Sequence, residues 1–254
     1  MLGELTDARI TWPSAGLMDS FSTLIESKYP RLRGAFGFVD GLKLPLQTAA
    51  DQNLQSISYN GWLHSHKVSN VLTFAPDGSL LHALTNFPGS WHDTTVARPL
   101  FGVLLRDSHP PGKCILADTG FPRLRPLLRQ RILVPLKTNS RPRGTHDQWQ
   151  VTMALSRDVV SARQSAEWGM RSVQGSFARL KMPLPVHDMA LRGRIIRVCM
   201  ALHQLRVRWV GVSQIQTYWV DVWRGVDQDL YDNFQSMLFS EIVERDRASR
   251  VYNN

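Results

Sequence analysis

The chain is short of cysteine, of lysine and of long apolar runs. Its two cysteines, Cys114 and Cys199, each lie inside an apolar stretch (KCIL and RVCMAL). That excludes a disulfide framework and a thiolate zinc site, and it suits a reducing compartment. No apolar run reaches the length of a membrane span, and the opening residues MLGELTDARITWP lack the basic and apolar regions of a signal peptide. No membrane contact is expected, and cytoplasm or nucleus is the default. A phosphate-cradling glycine loop and a nucleophile elbow are also missing, which leaves kinase and serine-hydrolase chemistry without support.

What is present is arginine. The net charge is +9, and 24 of the 30 basic residues are Arg. A guanidinium is a planar fork that grips phosphate oxygens in pairs, whereas an ammonium acts as a point charge. The balance points to a polyanionic partner, or to an ordinary basic protein from an Arg-preferring genome. The 254 residues suffice for one large domain that buries its own core.

Residues 13–29 predict an amphipathic helix, with Leu17, Phe21, Leu24 and Ile25 at helical spacing. AFGFVD (35–40) reads as a buried strand closing on a carboxylate, with Gly41 as punctuation. Residues 69–75 and 79–86 flank Pro76-Asp77-Gly78, a hairpin signal. A helix is expected over 93–105, capped by Asp93. KCILAD (113–118) repeats the pattern of an apolar strand ending on an acid, and 132–136 is a further strand. From Ser156 the pattern turns helical, with Ala166, Met170, Val173, Phe177 and Leu180 as its stripe, until Pro183 and Pro185. A second helix is expected over 188–208. The order predicts an α/β layer fold with a mixed sheet. It divides into a helical lead-in (1–33), a main domain (34–208) with a basic insertion (119–156), and a tail of short helices and loops (209–254).

Asp40 and Asp118 each close a predicted strand. If those strands are neighbours, both carboxylates enter one crevice, where like charges need a cation between them. Oxygen ligands suit Mg²⁺ or Mn²⁺. The alternative is that each Asp only caps a turn. Glu167, in SAEWGMRSVQGSFARL, borders the apolar stripe and can reach a sheet edge. It can equally face solvent, paired with Arg163 or Arg171 at i,i+4 spacing. Gly169 and Gly175 need a reason inside a helix, and close packing on the sheet supplies one.

His92 and Asp93 are candidates for a supporting position near such a site. His64 and His66 alternate on a predicted strand, and no further His or Cys nearby makes a zinc set. Arg123, Arg125, Arg129, Arg131, Lys137, Arg141 and Arg143 lie between residues 119 and 146 without one acid. They read as a phosphate-gripping surface or a solvated loop. Arg192, Arg194, Arg197, Arg206 and Arg208 form a second basic set, with Ile195, Cys199 and Leu202 expected on the buried face.

From Ile10 to Arg208 these residues resemble the DDE endonuclease superfamily of the Harbinger type, transposases and their domesticated relatives. FGFVDGLKLPL resembles the family's first-acid strand, FPGSWHDTT the segment before the first core helix, CILADTGFP the second-acid strand, and AEWGMRSVQGSFARLKMPL the third-acid helix. The 48 residues between Asp118 and Glu167 are close to the family's spacing. Leu42 stands where relatives often have Thr. The resemblance implies a ribonuclease H-like fold and DNA cleavage by two divalent metals. Asp40 would bridge both ions, and Asp118 and Glu167 would hold one each. It further implies a nuclear location and DNA as partner, and it leaves room for an oligomer. The 39 residues before Asp40 are too few for the family's helix-turn-helix module, and the resemblance leaves room for a separate Myb-like protein that supplies targeting. The other reading is a silent domesticated copy that binds DNA or a protein.

Overall fold

The computed structural model describes residues 5–121, 125–137, 144–211 and 213–219. Helix α1 (Ala15–Lys28) starts at Ser14, whose side chain accepts from the Leu17 amide. It buries Met18, Phe21, Ser22 and Ile25, a spacing of three and four residues along one face. Leu17, expected on that face, is exposed: Met18, one residue on, takes the inward direction.

A six-stranded sheet follows. Strand β1 (Ala35–Pro45) runs five residues past Asp40 instead of ending there. The reason is its antiparallel partner β3 (Ser65–Phe74), whose ladder extends to Pro45↔Lys67. The hairpin from β3 to β4 (Leu80–Pro88) forms as expected around Pro76-Asp77-Gly78, and Asp77 accepts from the Ser79 amide at 2.8 Å. A short helix α2 (Gln52–Ser58) and strand β2 (Tyr59–Asn60) precede β3 and pair with its start. Of the two histidines expected on this strand, His66 lies in β3. His64 stands before it with φ of 47°.

On the other side of β1 lie β5 (Cys114–Leu116) and β6 (Ile132–Leu133), both parallel. The order is β4-β3-β1-β5-β6, with β2 beyond the start of β3. This mixed sheet with helices on both faces is an α/β, ribonuclease H-like arrangement. The single helix expected over 93–105 is two, α3 (Asp93–Val96) and α4 (Arg98–Leu104), jointed at Ala97 with ψ of −2°. His92, not Asp93, occupies the cap position of α3, and no side chain caps it. The short α5 (Pro126–Arg131) enters β6.

Helix α6 (His146–Ser176) starts ten residues before the expected Ser156, at a capping box formed by Thr145 and Gln148. Its stripe Val159, Ala162, Ala166, Met170 and Val173 packs on one sheet face with Phe38, Leu42, Leu72 and Phe74. Each fully buried Val, Leu or Phe among them contributes roughly 1.5–3 kcal/mol. Phe177 and Leu180 follow the helix rather than extend it: Phe177 is extended and Leu180 closes a 3₁₀ turn. The other face carries α1 and α4, through Phe21, Phe36, Val71, Leu100 and Phe101.

Helix α7 (Met189–Val210) forms where a helix is expected over 188–208, with Asp188 as its N-cap, but its buried face is turned by one residue. Arg192, Ile196, Cys199, Met200, His203, Gln204 and Val207 face inward, while Leu202 is exposed. Polar groups with fixed partners make this face. Arg192 donates Nε to Asn86 Oδ1 at 2.6 Å and Nη1 to the Pro185 and Val186 carbonyls at 3.0 and 3.2 Å. Arg208 is tied to the Thr6 and Asp7 carbonyls, and Arg206 to Ser176 Oγ. The expected second basic surface is thereby reduced. Helix α8 (Gln214–Trp219) locks α6: Trp219 stacks on Phe38 at 5.3 Å and donates to Ser165 Oγ at 2.8 Å. No helix among the described residues is long and apolar enough to cross a membrane.

Candidate active site

Sheet register places the first two acids. Phe38 pairs with Leu116 across the parallel β1–β5 ladder. Two residues further on each chain stand Asp40 and Asp118, and a two-residue period returns both to one face. β5 stops at Leu116, so both carboxylates lie just past the end of that parallel ladder, where open α/β sheets leave a crevice. Helix α6 crosses that face, held by its aliphatic stripe on Phe74 and by Ser165 on Trp219. It presents Arg163 and Glu167, one turn apart.

Arg163 is the centre of the arrangement. Its Nη1 lies 3.6 Å from Asp40 Oδ2, its Nε 3.9 Å from Asp118 Oδ1, and its Nη2 3.3 Å from Glu167 Oε1. Each nitrogen of the guanidinium faces a different acid. The three acids named from sequence therefore converge on one group. Arg163 entered the sequence reading only as an i,i+4 partner of Glu167. The same spacing carried the stronger message, since whatever Glu167 faces Arg163 faces too.

A fourth carboxylate stands nearby. Asp93, the first residue of α3, pairs with Lys43 Nζ at 2.8 Å and packs against the backbone of Gly41, next to Asp40. Lys43 also donates to Ser69 Oγ at 2.7 Å and to the Trp91 carbonyl at 3.2 Å, which fixes the approach of the 89–92 turn. His92 is exposed. Lys43 was not singled out from sequence, although its two-residue offset from Gly41 puts it on the Asp93 side of β1.

The electrostatics show an uncompensated site. Burial pushes the Asp40 carboxyl up from 3.8 to about 6. The Gly41 amide, at 2.8 Å from Oδ1, and Arg163 both lower it, while Asp118 and Asp93 raise it further. Four carboxylates (Asp40, Asp93, Asp118, Glu167) face two cations (Lys43, Arg163), which leaves two negative charges. An all-oxygen donor set with that deficit fits a hard divalent cation. Among the described residues no group of three or more His, Cys, Asp or Glu side chains stands close enough, as placed, to hold a metal ion. Acids facing three separate nitrogens are spread wider than ligands ~2.1 Å from one Mg²⁺.

The basic connector divides. Arg125, Arg129 and Lys137 are exposed, whereas Arg131 is buried and donates to the His109 and Pro110 carbonyls. Arg123, Arg141 and Arg143 lie outside the described residues.

A family model described as DDE superfamily endonuclease matches residues 39–204, a span that holds all four acids and both cations. No curated protein and no solved structure matches the chain.

Proposed function

The chain belongs to the DDE superfamily endonucleases, and on that premise we propose that it cuts DNA phosphodiester bonds with two divalent metal ions. The observation that carries this is the convergence of Asp40, Asp118 and Glu167 on a single cationic group. In this reading Asp40, deepest of the three, would be shared by both ions, and Asp118 and Glu167 would hold one each. When bound there, Mg²⁺ or Mn²⁺ would supply Lewis-acid chemistry toward an attacking water or 3′-hydroxyl and toward the leaving oxygen. Asp118 and Glu167 are the more exposed acids, so they face the side from which DNA arrives. Lys43 pairs with Asp93, and Asp93 adds negative charge beside Asp40. Arg125, Arg129 and Lys137 hold the DNA backbone without reading its sequence. The silent-copy reading finds no support in a site whose acids are all present and gathered.

The test is nicking of supercoiled plasmid in Mg²⁺ or Mn²⁺. Wild type nicks; Asp118→Asn does not, while its DNA binding is intact or stronger. Equal nicking by both proteins overturns the assignment.

A further inference from the structure

We propose that Arg163 is a displaceable internal counter-cation, which gathers the three acids in the metal-free protein and gives way when a divalent ion enters. The inference rests on the metal-site reading and adds to it a mode of entry.

Three observations carry it. First, the guanidinium occupies the point on which Asp40, Asp118 and Glu167 converge, and so stands where a shared cation would be. Second, it is held by charge more than by directed bonds. Only the Glu167 contact, at 3.3 Å, is a hydrogen bond, and the others are 3.6 and 3.9 Å. Arg192 shows what a fixed guanidinium looks like in this molecule: it is buried, with bonds of 2.6, 3.0 and 3.2 Å to one amide oxygen and two carbonyls. Third, the way out is open. The Arg163 side chain is 21% exposed, and the Asp118 and Glu167 side chains beside it are 46% and 44% exposed. The long side chain can swing toward solvent while α6, locked by Ser165 and its aliphatic stripe, stays in place. A guanidinium and a divalent ion compete for the same oxygens, so removing the first must strengthen binding of the second.

The experiment measures Mn²⁺ binding calorimetrically on the full chain without DNA, for wild type, Arg163→Gln and Arg163→Lys, with thermal melts in EDTA and in Mn²⁺. Arg163→Gln should bind Mn²⁺ at least about tenfold tighter than wild type. It should melt lower in EDTA and recover with Mn²⁺, because the acids then lack any cation. Arg163→Lys, a point charge that cannot face three acids at once, should fall between. In wild type the Arg163 side-chain Nε–H resonance, identified by its loss in Arg163→Lys, should move on saturation with Mg²⁺. That readout stands even if the Gln variant fails to fold. Equal or weaker Mn²⁺ binding by Arg163→Gln, or an unmoved resonance at saturating Mg²⁺, overturns the proposal alone. No binding by any of the three proteins overturns it together with the metal-site reading.

Discussion

Gly41 and Asp93 share one volume. A Cβ placed on Gly41 would lie within 2.6 Å of every atom of the Asp93 carboxyl group. Only a residue without a side chain lets the start of α3 press a carboxylate against β1 beside Asp40. Gly41→Ala should therefore destabilise the fold by about 1–3 kcal/mol in urea titrations, as overpacking does. Adding Asp93→Gly should recover most of the loss, and a purely additive double mutant would show that the two residues are not in contact.

The Asp40 carboxyl gives stability an unusual pH dependence. Its value is about 6 in the folded protein, above the ordinary 3.8, so the folded state holds its proton more tightly than the unfolded state. Its favourable contribution is complete below pH 3.8 and is lost as pH rises through 6. The shift corresponds to about 3 kcal/mol at most between the two protonation states. In EDTA, Asp40→Asn should be more stable than wild type at pH 7.5, with the gap closing toward pH 4. A gap that stays constant across this range would contradict the burial of that carboxylate.

The two glycines of α6 should respond in opposite directions. A Cβ on Gly169 would lie 2.7 Å from two carbons of the Phe74 ring, whereas one on Gly175 meets nothing within 4 Å. Gly169→Ala should cost about 1–3 kcal/mol, because the ring under α6 is fully buried. Gly175→Ala should raise stability by up to about 1 kcal/mol through helix propensity alone. Thermal melts of the pair decide whether α6 rests on the sheet as described.

Arginines of the connector should separate by assay. Arg131→Ala leaves the His109 and Pro110 carbonyls without their buried donor and should destabilise by about 1–3 kcal/mol. Arg125→Ala and Lys137→Ala should leave stability unchanged. Each should weaken DNA binding evenly across sequences and reduce the salt slope by about one. A sequence-dependent loss would argue for base contact instead.

Local patterns in the sequence carried much of this. AFGFVD and KCILAD do become neighbouring strands, and the Pro-Asp-Gly hairpin and the helix over 188–208 stand as expected. Thr145 and Gln148 announced the true start of α6 in the run THDQ, but the surrounding basic residues masked the signal. What the sequence hid depends on partners far along the chain. β1 continues past Gly41 because β3 is long enough to pair with it. The face of α7 is rotated because Asn86 and the carbonyls of residues 185 and 186 satisfy Arg192. The role of Arg163 needs β1, β5 and α6 assembled before it can be seen.

One side chain also governs how the molecule treats its neighbours. Gln204 accepts from the Leu80 amide at 2.7 Å and donates to the Leu80 carbonyl at 3.2 Å, the two contacts an adjoining strand would make. Leu80 opens β4, the outermost strand on that side of the sheet. An open strand edge is a template for uncontrolled chain-to-chain pairing. By standing in for the missing strand, Gln204 keeps both Leu80 backbone groups paired where α7 buries the hairpin end of that edge, a pairing that Gln204→Ala would remove while leaving the acids untouched.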